Sequence, residues 1–451
     1  MISNLDSIDI DLYQARMLIG YFKSNMHNIH GVMEAFCRKL PQHRRFLVAC
    51  GIERIIDYLA NIKITATEIN ILKKALPDVV FDSELEQYLL NINFQKEITV
   101  RAMREGEILF PNQPVISLKG PVALCQYVER KILGILNDDV KIASKAARIV
   151  ISAEGRPVFE FGGRRLGDAG TSAARAAYIA GCAGSSSVAA FAKYGVPCSG
   201  TMGHVWVMSH YDGGEKEAFE NWNDAFKNSI YLVDTYNSST GTENAIKSAG
   251  LNIGGIRLDS GDLENQSINF KRKLINSDCY SAKIYASNDL NEYKISELVQ
   301  RRSLIDGFGV GTELVTSPDA PNCGFVFKLC SVQDKSGDWH PVAKMAKGGK
   351  RTIPGEKQVF RFKHDVKNTF THDMIGLHNE SIVGAEPLLV ERPLVTENIE
   401  DSRNYCLSRI SSLPPYLKII SINDNVHDVY TVNITNELGN LADNLFKNFN
   451  N

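Results

Sequence analysis

The chain has 451 residues, with 50 lysines and arginines against 52 aspartates and glutamates, so its formal net charge is −2. This balance argues against a protein that binds nucleic acid or membrane surfaces through overall charge. The hydrophobic content of 44% is ordinary for a globular protein, and the length predicts two or three domains.

The nine cysteines are odd in number and include no CxxC pair. This pattern favours reduced thiols over a disulfide framework. The first residues lack the basic region of a secretory signal, and no apolar run reaches the roughly 18 residues that span a bilayer. We therefore expect a cytoplasmic protein without membrane or nucleic-acid partners.

The first 150 residues mix helical and strand patterns. Apolar residues at helical spacing predict a helix in residues 11–40, and the segments "ERIIDYLANI" and "SELEQYLLNI" predict two more. Short runs cut by Gly and Pro-Asn between Glu97 and Pro121 predict small antiparallel strands. Helical patterns then continue to about residue 150, so we expect residues 1–150 to form a mixed α/β domain.

From about residue 155, short apolar runs alternate with helix-length segments. The predicted strands are residues 157–161, 196–200, 230–234, 255–259, 283–287, 307–311 and 324–330. Sequential βα units indicate a parallel barrel or a doubly wound sheet, which we place in residues 151–344. Beyond them the composition becomes basic and glycine-rich, then strand-like, and ends in a polar helix. Residues 345–451 are expected to return to the first domain.

Polar and glycine-rich residues follow directly after six of these runs. Active sites of parallel α/β folds lie at the carboxyl ends of the strands, so we expect these residues to converge on one site. In chain order they include Arg164, Arg165, Thr201, His204, Thr235, Ser260, Gly261, Asp262, Asn288, Asp289, Thr312 and Glu313.

The segment "GFGVGTE" has two interpretations. Gly309, Gly311 and Thr312 could offer backbone N–H groups to a phosphate, or the glycines could merely let a strand and a helix pack closely. The neighbouring pair Arg164 and Arg165 could bind a carboxylate or phosphate, or could be a solvated pair.

The segment "GIRLDSGD" places a charge inside an apolar strand. An unpaired Arg257 would be costly there, and strand alternation turns Arg257 and Asp259 to the same side. They either pair structurally or Arg257 receives an anionic ligand. Asp259 and Asp262 could hold Mg²⁺, although Asp262 or Ser260 could equally cap a helix.

His204, in "CSGTMGHVWVMSHYDGG", follows a predicted strand end among glycines. A histidine there could be a general base, a metal ligand, a phosphate acceptor or a structural residue. No Cys or His lies at the spacing of a zinc site.

Several of these motifs, in this order, closely resemble nicotinate phosphoribosyltransferase. They are "EFGGRRLGDAGTSAARAAYIAGCAGSSSVAAFAKYGVPCSGTMGHVWVMS", "YLVDTYN", "GIRLDSGDL" and "DGFGVGTEL". The resemblance extends to "DLYQARMLIGYF", "GEILFPNQPVISLKGP" and "PGEKQVFR". It therefore covers most of the chain.

The resemblance implies an irregular parallel α/β barrel and a second mixed α/β domain, formed by the N-terminal region and the C-terminal return. It implies transfer of phosphoribose from phosphoribosyl pyrophosphate (PRPP) to nicotinate, which yields nicotinate mononucleotide and pyrophosphate for NAD salvage. It further implies coupled ATP hydrolysis through a phosphohistidine, Mg²⁺, and a homodimer with the active site at its interface.

By the same resemblance, His204 is the phosphorylated histidine, Thr201 and Arg257 contact nicotinate, Thr312 contacts PRPP, and Tyr13 stacks on the pyridine across a dimer interface. Position at the strand ends adds further candidates. These are Arg164 for nicotinate; Arg165, Ser260, Gly261, Asn288, Gly309 and Gly311 for PRPP; and Asp259 and Asp262 for Mg²⁺, with Asp234 as another carboxylate for Mg²⁺ or ribose.

One departure concerns the residues around His204. The family often reads "GTxAHS", whereas this chain has Gly203 and Val205 beside the histidine, so a polar neighbour is missing. "EFGGRR" favours the nicotinate over the nicotinamide branch. The alternatives are a nicotinamide or quinolinate phosphoribosyltransferase, a non-catalytic PRPP- or nucleotide-binding regulator, or an unrelated phosphate-binding barrel such as an aldolase.

Overall fold

The computed structural model describes residues 5–344, 352–421 and 429–448. Its strands are β1 (His30–Cys37), β2 (Leu47–Val48), β3 (Thr99–Ala102), β4 (Ile108–Leu109), β5 (Ile116–Pro121), β6 (Val158–Glu160), β7 (Gly184–Ser185), β8 (Ile230–Leu232), β9 (Gly255–Leu258), β10 (Lys283–Ala286), β11 (Gly307–Val310), β12 (Phe325–Gln333), β13 (Trp339–Pro341), β14 (Lys357–Lys363), β15 (Phe370–Leu377), β16 (Ala385–Pro387), β17 (Val390–Arg392) and β18 (Val432–Ile434).

The helices are α1 (Leu12–Lys23), α2 (Ile52–Asn61), α3 (Ala66–Ala75), α4 (Ser83–Asn91), α5 (Phe94–Glu97), α6 (Val122–Tyr127), α7 (Glu129–Ser152), α8 (Gly170–Ile179), α9 (Val188–Tyr194), α10 (His204–Ser209), α11 (Gly214–Ala225), α12 (Ser238–Ala249), α13 (Leu263–Asn276), α14 (Glu292–Gln300), α15 (Thr312–Thr316), α16 (Ile399–Ser411) and α17 (Asn436–Asn448). None of these helices has the length and apolar character needed to cross a membrane.

The described residues divide into two compact units. The first combines residues up to Lys141 with residues 322–417 and the C-terminal strand and helix; the second contains Ile142–Pro321 and a few residues from Lys418. The chain thus passes from one unit to the other between residues 141 and 142 and between residues 321 and 322, whereas the sequence suggested boundaries at about residues 150 and 344. The predicted boundary at residue 345 lies outside the described residues.

The first unit is built on antiparallel sheets. A six-stranded sheet runs β13-β12-β1-β5-β3-β17, a four-stranded sheet runs β16-β14-β15-β18, and β2 pairs with β4. Seven of the eight residues of β1 are buried, so this central strand is covered on both faces. Helix α6 is buried along its whole length, and it packs on α1 and on the β1–β5 part of the sheet. This unit contains the large hydrophobic core to which α2, α3 and α4 add their apolar faces.

The second unit contains a parallel half barrel. Its strand order is β7-β6-β11-β10-β9-β8, and every pair is parallel. All four residues of β11 are buried, as expected for a central strand of a parallel sheet that is covered on both faces. Five of the predicted strands form β6, β8, β9, β10 and β11, so the predicted parallel α/β fold is confirmed.

Three element predictions were wrong. Residues 30–37 form strand β1 and not the end of a long helix, because Met26 to Ile29 make a turn after α1 and the next segment pairs with β5 and β12. Residues 325–330 form a strand as predicted, but it belongs to β12, which pairs antiparallel with β1 in the first unit and is not part of the parallel series. Residues 196–200 make only an isolated parallel bridge between Cys198 and Ser185, so β7, which was not predicted, is the strand at that edge.

Candidate functional site

A cavity of about 470 Å³ lies within the second unit, where the loops after the parallel strands meet. The residues that line it lie in or directly after β6, β7, β9, β10 and β11, or in the segment before α10. They are Phe161, Arg164, Arg165, Ser186, Gly200, Thr201, Met202, Gly203, Arg257, Asp259, Ser287, Asn288, Asp289, Leu290, Gly309, Gly311, Thr312 and Glu313. Most of the residues that were predicted at strand ends are therefore brought together.

Arg257 is a partly buried cation in the wall of this cavity. Its Nη1 donates a hydrogen bond of 2.7 Å to Thr201 Oγ1, and its Nη2 lies 3.8 Å from Asp259 Oδ2. The side chains of Arg257 and Asp259 therefore share one side of the strand end, as alternation predicts. Burial lowers the pKa of Arg257, and the charges of Asp259 and Asp234 oppose that shift. Arg257 Nε is buried and has no hydrogen-bond partner among the described residues, so the guanidinium retains capacity for an anionic ligand.

His204 is the first residue of the short helix α10 and is held by two neighbours. Its Nδ1 lies 3.1 Å from Thr235 Oγ1, and its Nε2 lies 3.8 Å from Asp259 Oδ2. The second distance exceeds a hydrogen bond, so Nε2 is not committed to the carboxylate. His204 does not itself line the main cavity, although Gly203 does. A ring held at Nδ1 with Nε2 uncommitted can act as a nucleophile or as a base.

The aspartates around the site have different partners. Asp234 Oδ2 accepts hydrogen bonds from Asp259 N (2.8 Å) and Ser260 Oγ (2.6 Å), and Ser287 Oγ donates to Asp259 Oδ1 at 2.5 Å. Asp262 instead caps α13, because its Oδ1 accepts from Asn265 N at 3.1 Å. The Asn265 hydrogen bonds lower the pKa of Asp262.

The structure therefore separates the two carboxylates that were predicted to bind Mg²⁺. Asp259 lines the main cavity, whereas Asp262 and Gly261 line a neighbouring cavity of about 280 Å³. Within the described residues, no group of three or more His, Cys, Asp or Glu side chains is arranged to hold a metal ion. Asp259 alone fits an Mg²⁺ that arrives with substrate phosphates, since this ion is commonly bound by one or two carboxylates plus phosphate oxygens.

The phosphate candidates meet at the pair of loops after β6 and β11. Arg165 Nε donates to Thr312 Oγ1 at 3.2 Å. A Cβ on Gly309 would lie 2.4 Å from the Phe161 ring, and a Cβ on Gly162 would lie 2.5 Å from the Gly311 carbonyl oxygen. These glycines therefore allow close packing of the two loops, and that packing brings the arginine and the threonine together.

Sequence reasoning missed several residues of the site. Phe161 lines the cavity, and the Ser287 hydroxyl donates to Asp259. Thr235 was predicted at a strand end, but its contact with His204 was not. Behind the β6 loop, the fully buried Glu160 accepts hydrogen bonds from Ser185 Oγ (2.6 Å) and from Gly162 N, while burial raises the pKa of Glu160. The sequence did contain a signal for Glu160, because it is a charged residue inside the apolar run "PVFEF", just as Arg257 is a charged residue inside an apolar strand.

Besides His204, Asp234 and Asp262, three more predicted site residues lie outside the main cavity. Ser260 donates to Asp234, and Gly261 belongs to the neighbouring cavity. Tyr13 belongs to the first unit, where its hydroxyl donates to Glu129 Oε2 at 3.3 Å and about half of its surface is exposed. Burial and the nearby charge of Glu129 raise the pKa of Tyr13 to about 12, so the phenol stays neutral at physiological pH.

Comparison with known families gives two matches along the chain. Residues 8–137 match the sequence model of the nicotinate phosphoribosyltransferase (NAPRTase) N-terminal domain. Residues 157–374 match the model of the nicotinate phosphoribosyltransferase (NAPRTase) family. Together they take in parts of both units and all of the residues that line the main cavity.

Similar curated proteins carry the same name. The chain is 35% identical over 425 residues to nicotinate phosphoribosyltransferase pncB2 of Mycobacterium tuberculosis, with 90% of this chain and 88% of the relative covered. It is 33% identical over 399 residues to nicotinate phosphoribosyltransferase of Bacillus subtilis, with 86% of this chain and 80% of the relative covered.

Two solved structures share the fold. Human nicotinic acid phosphoribosyltransferase superposes with a TM-score of 0.81 at 24% identity, over 97% of this chain and 99% of that chain. Nicotinate-nucleotide pyrophosphorylase from Pyrococcus furiosus superposes with a TM-score of 0.73 at 24% identity, over 91% of this chain and 97% of that chain.

Proposed function

Since the chain belongs to the nicotinate phosphoribosyltransferase family, we propose that its main cavity transfers phosphoribose from PRPP to nicotinate in NAD salvage. The products are nicotinate mononucleotide and pyrophosphate. The observation that supports this most directly is Arg257, a partly buried guanidinium whose buried Nε has no hydrogen-bond partner among the described residues, in a cavity that has polar phosphate candidates on its other loops.

Nicotinate is a planar anion, and it needs a cation and an apolar surface. Arg257, already hydrogen-bonded to Thr201, binds the carboxylate, and Arg164 adds a second positive charge nearby. Phe161 supplies an aromatic surface in the same cavity. This arrangement favours nicotinate over uncharged nicotinamide, because the partly buried Arg257 has an unsatisfied Nε–H and gains more from a carboxylate than from a neutral amide.

PRPP occupies the loops after β10 and β11 and reaches Arg165 on the loop after β6. Negative charge grows on the pyrophosphate as it leaves, and Arg165, Thr312 and Asn288 are placed to stabilise it. Mg²⁺, when bound with the phosphates, would be held by Asp259 and would neutralise part of this charge.

ATP is coupled through His204. With Nδ1 held by Thr235, the uncommitted Nε2 attacks the terminal phosphorus of ATP and ADP leaves, after which water releases phosphate from the histidine. The missing polar neighbour does not obstruct this, since Val205 is 76% exposed and lines neither described cavity. A phosphoryl group on His204 places negative charge near Asp259 and so changes substrate and product affinities.

We further propose a cytoplasmic homodimer in which Tyr13 of one protomer stacks on the pyridine bound by its partner. Several large apolar side chains on the segments that begin at the cavity are exposed, which suits a protein interface. They are Val188, Phe191, Val205, Met208 and Tyr236. The nine free cysteines, eight of them buried, support a reducing compartment.

The test compares turnover of nicotinate with PRPP, in the presence and absence of ATP, for the wild type and His204→Ala. We expect ATP to stimulate the wild type only. Equal stimulation of both proteins would exclude His204 as the phosphate acceptor. Parallel assays with nicotinamide and quinolinate address the alternative substrates, and product from either of these but not from nicotinate would overturn the proposed activity.

A further inference from the structure

The second unit contains a buried cluster of charges that the reaction does not use directly. Lys145, in helix α7, is 1% exposed, and its Nζ lies 2.6 Å from Glu292 Oε2 and 3.0 Å from Asp319 Oδ1. Arg148, one turn later on α7, donates from Nε to Glu292 Oε1 at 3.0 Å and from Nη2 to the Tyr293 hydroxyl at 3.2 Å. Buried ammonium groups are costly unless they are paired in this way.

The two carboxylates that Lys145 joins belong to different loops of the main cavity. Glu292 is the first residue of α14, directly after the cavity residues Asn288, Asp289 and Leu290 and the helix cap Asn291. Asp319 follows the short helix α15, whose first residues, Thr312 and Glu313, also line the cavity. The loops emerge from the neighbouring parallel strands β10 and β11.

The charges in the cluster are strongly coupled. Burial alone would raise the pKa of Glu292, but the charges of Lys145 and Arg148 outweigh it and lower that pKa. Glu292 is therefore ionised at neutral pH and held by two cations from one helix. Asp319, with 19% of its side chain exposed, is the accessible end of the cluster.

We propose that Lys145 is a positioning residue for PRPP, because it sets the distance between the loop of Asn288 and the loop of Thr312 from behind the cavity. This role rests on the proposed function, which places the phosphates of PRPP on those two loops. Lys145 does not touch the substrate. It acts through Glu292 and Asp319, so its loss is expected to weaken PRPP binding selectively and to leave nicotinate binding at Arg257 largely intact.

The variant that tests this with least harm to the fold is Asp319→Asn, because it removes the charge that ties one loop to Lys145 and keeps the buried Lys145–Glu292 pair. We expect the PRPP dissociation constant, measured by calorimetry in Mg²⁺ buffer, and the KM for PRPP to rise about tenfold. The KM for nicotinate should change by less than about twofold. Asp319→Glu, which retains the carboxylate, should recover much of the PRPP affinity.

A matched control is Asp138→Asn on the same helix. Asp138 also receives a lysine, Lys141 at 3.2 Å, but it belongs to the first unit and should leave both KM values unchanged. Lys145→Met completes a double-mutant cycle with Asp319→Asn, and the effects of the two changes on PRPP binding should be less than additive. If Lys145→Met does not fold, Asp319→Asn and Asp319→Glu by themselves test the proposed role of Lys145.

The outcomes separate the two proposals. A wild type that turns over nicotinate, together with an Asp319→Asn variant that binds PRPP equally well, would overturn the role of Lys145 alone. An equal loss of nicotinate and PRPP affinity would also overturn it, since that is the signature of general damage to the fold. A wild type that neither binds PRPP nor turns over nicotinate would overturn the proposed function and the inference together.

Discussion

At the scale of single residues, charges placed inside apolar strands marked the site. Arg257 lies in β9 and Glu160 in β6, and each is tolerated because the folded chain supplies a partner. Arg257 differs from Glu160 because its hydrogen-bonding capacity is incomplete in the described structure. A buried donor without a partner is expensive, so a ligand that satisfies it gains binding energy and specificity together.

The first prediction concerns that donor. Arg257→Met keeps the volume of the side chain but removes its charge, and we expect the KM for nicotinate to rise about 10- to 100-fold, since hydrogen bonds to charged groups contribute about 1.5–3 kcal/mol. The KM for PRPP should change little. Steady-state kinetics with each substrate varied in turn measure both values.

The control for this variant is Arg272→Met, an exposed arginine of α13. It removes the same charge from the same unit without altering the cavity and should behave as the wild type. If Arg257→Met retained the wild-type KM for nicotinate, the assignment of Arg257 to the carboxylate would be wrong.

At the scale of elements, the site depends on how closely the loops after neighbouring strands can approach. Strands β6 and β11 are paired, and Phe161, just after β6, packs on Gly309 in β11. The "GFGVGTE" segment therefore needs glycine for close packing, which was the simpler of its two interpretations. That packing also places Thr312 beside Arg165.

Gly309→Ala tests this packing. The added methyl would lie 2.4 Å from the Phe161 ring, which must move, and we expect a loss of about 1–3 kcal/mol in the free energy of unfolding together with a higher KM for PRPP. Urea denaturation and steady-state kinetics measure the two effects.

Gly134→Ala provides the comparison. Gly134 lies within helix α7, and an added Cβ there meets nothing within 4 Å. This change should stabilise the protein by about 0.5–1 kcal/mol, because alanine is the better helix former. Equal effects of the two substitutions on stability would show that contact with Phe161 does not constrain position 309.

At the scale of the whole molecule, the chain leaves its first unit for the parallel half barrel and later returns. Tyr13 and His204 lie in different units, and the proposed homodimer pairs Tyr13 of one protomer with the site of the other. In such a dimer the interface is self-complementary, and each site needs residues from both copies.

Mixing two variants that are each expected to lose ATP-stimulated turnover tests this arrangement. Tyr13→Ala and His204→Ala chains, co-expressed with different tags, should form heterodimers with one intact and one doubly damaged site. ATP-stimulated turnover should then recover to about a quarter of the wild-type value, because about half of randomly formed dimers are mixed and each has one intact site. No recovery from a purified mixed dimer would place Tyr13 and His204 of the same chain in one site, whereas a fully active Tyr13→Ala homodimer would place Tyr13 outside the site.

The errors in element prediction have one physical source. The segment "HGVMEAFC" has the apolar content of a buried helix, and the run around Phe327 resembles another strand of the βα series. The two segments are partners in an antiparallel sheet of the first unit, with nearly 300 residues between them in the chain. Local periodicity indicates which faces of an element are buried, but it does not indicate which distant segment covers those faces.

The sequence by itself determined the parallel α/β series, the family, and the location of the site at the ends of β6, β9, β10 and β11, because periodicity, glycines and misplaced charges are local signals. Only the tertiary structure decided which polar residues meet. In the folded chain Thr235 contacts His204, and Ser287 contacts Asp259. Asp262 caps a helix away from the main cavity, and Lys145 pairs with carboxylates that follow two cavity loops. These pairings depend on side chains from separate strands and helices, and their distances are set by packing that no single segment encodes.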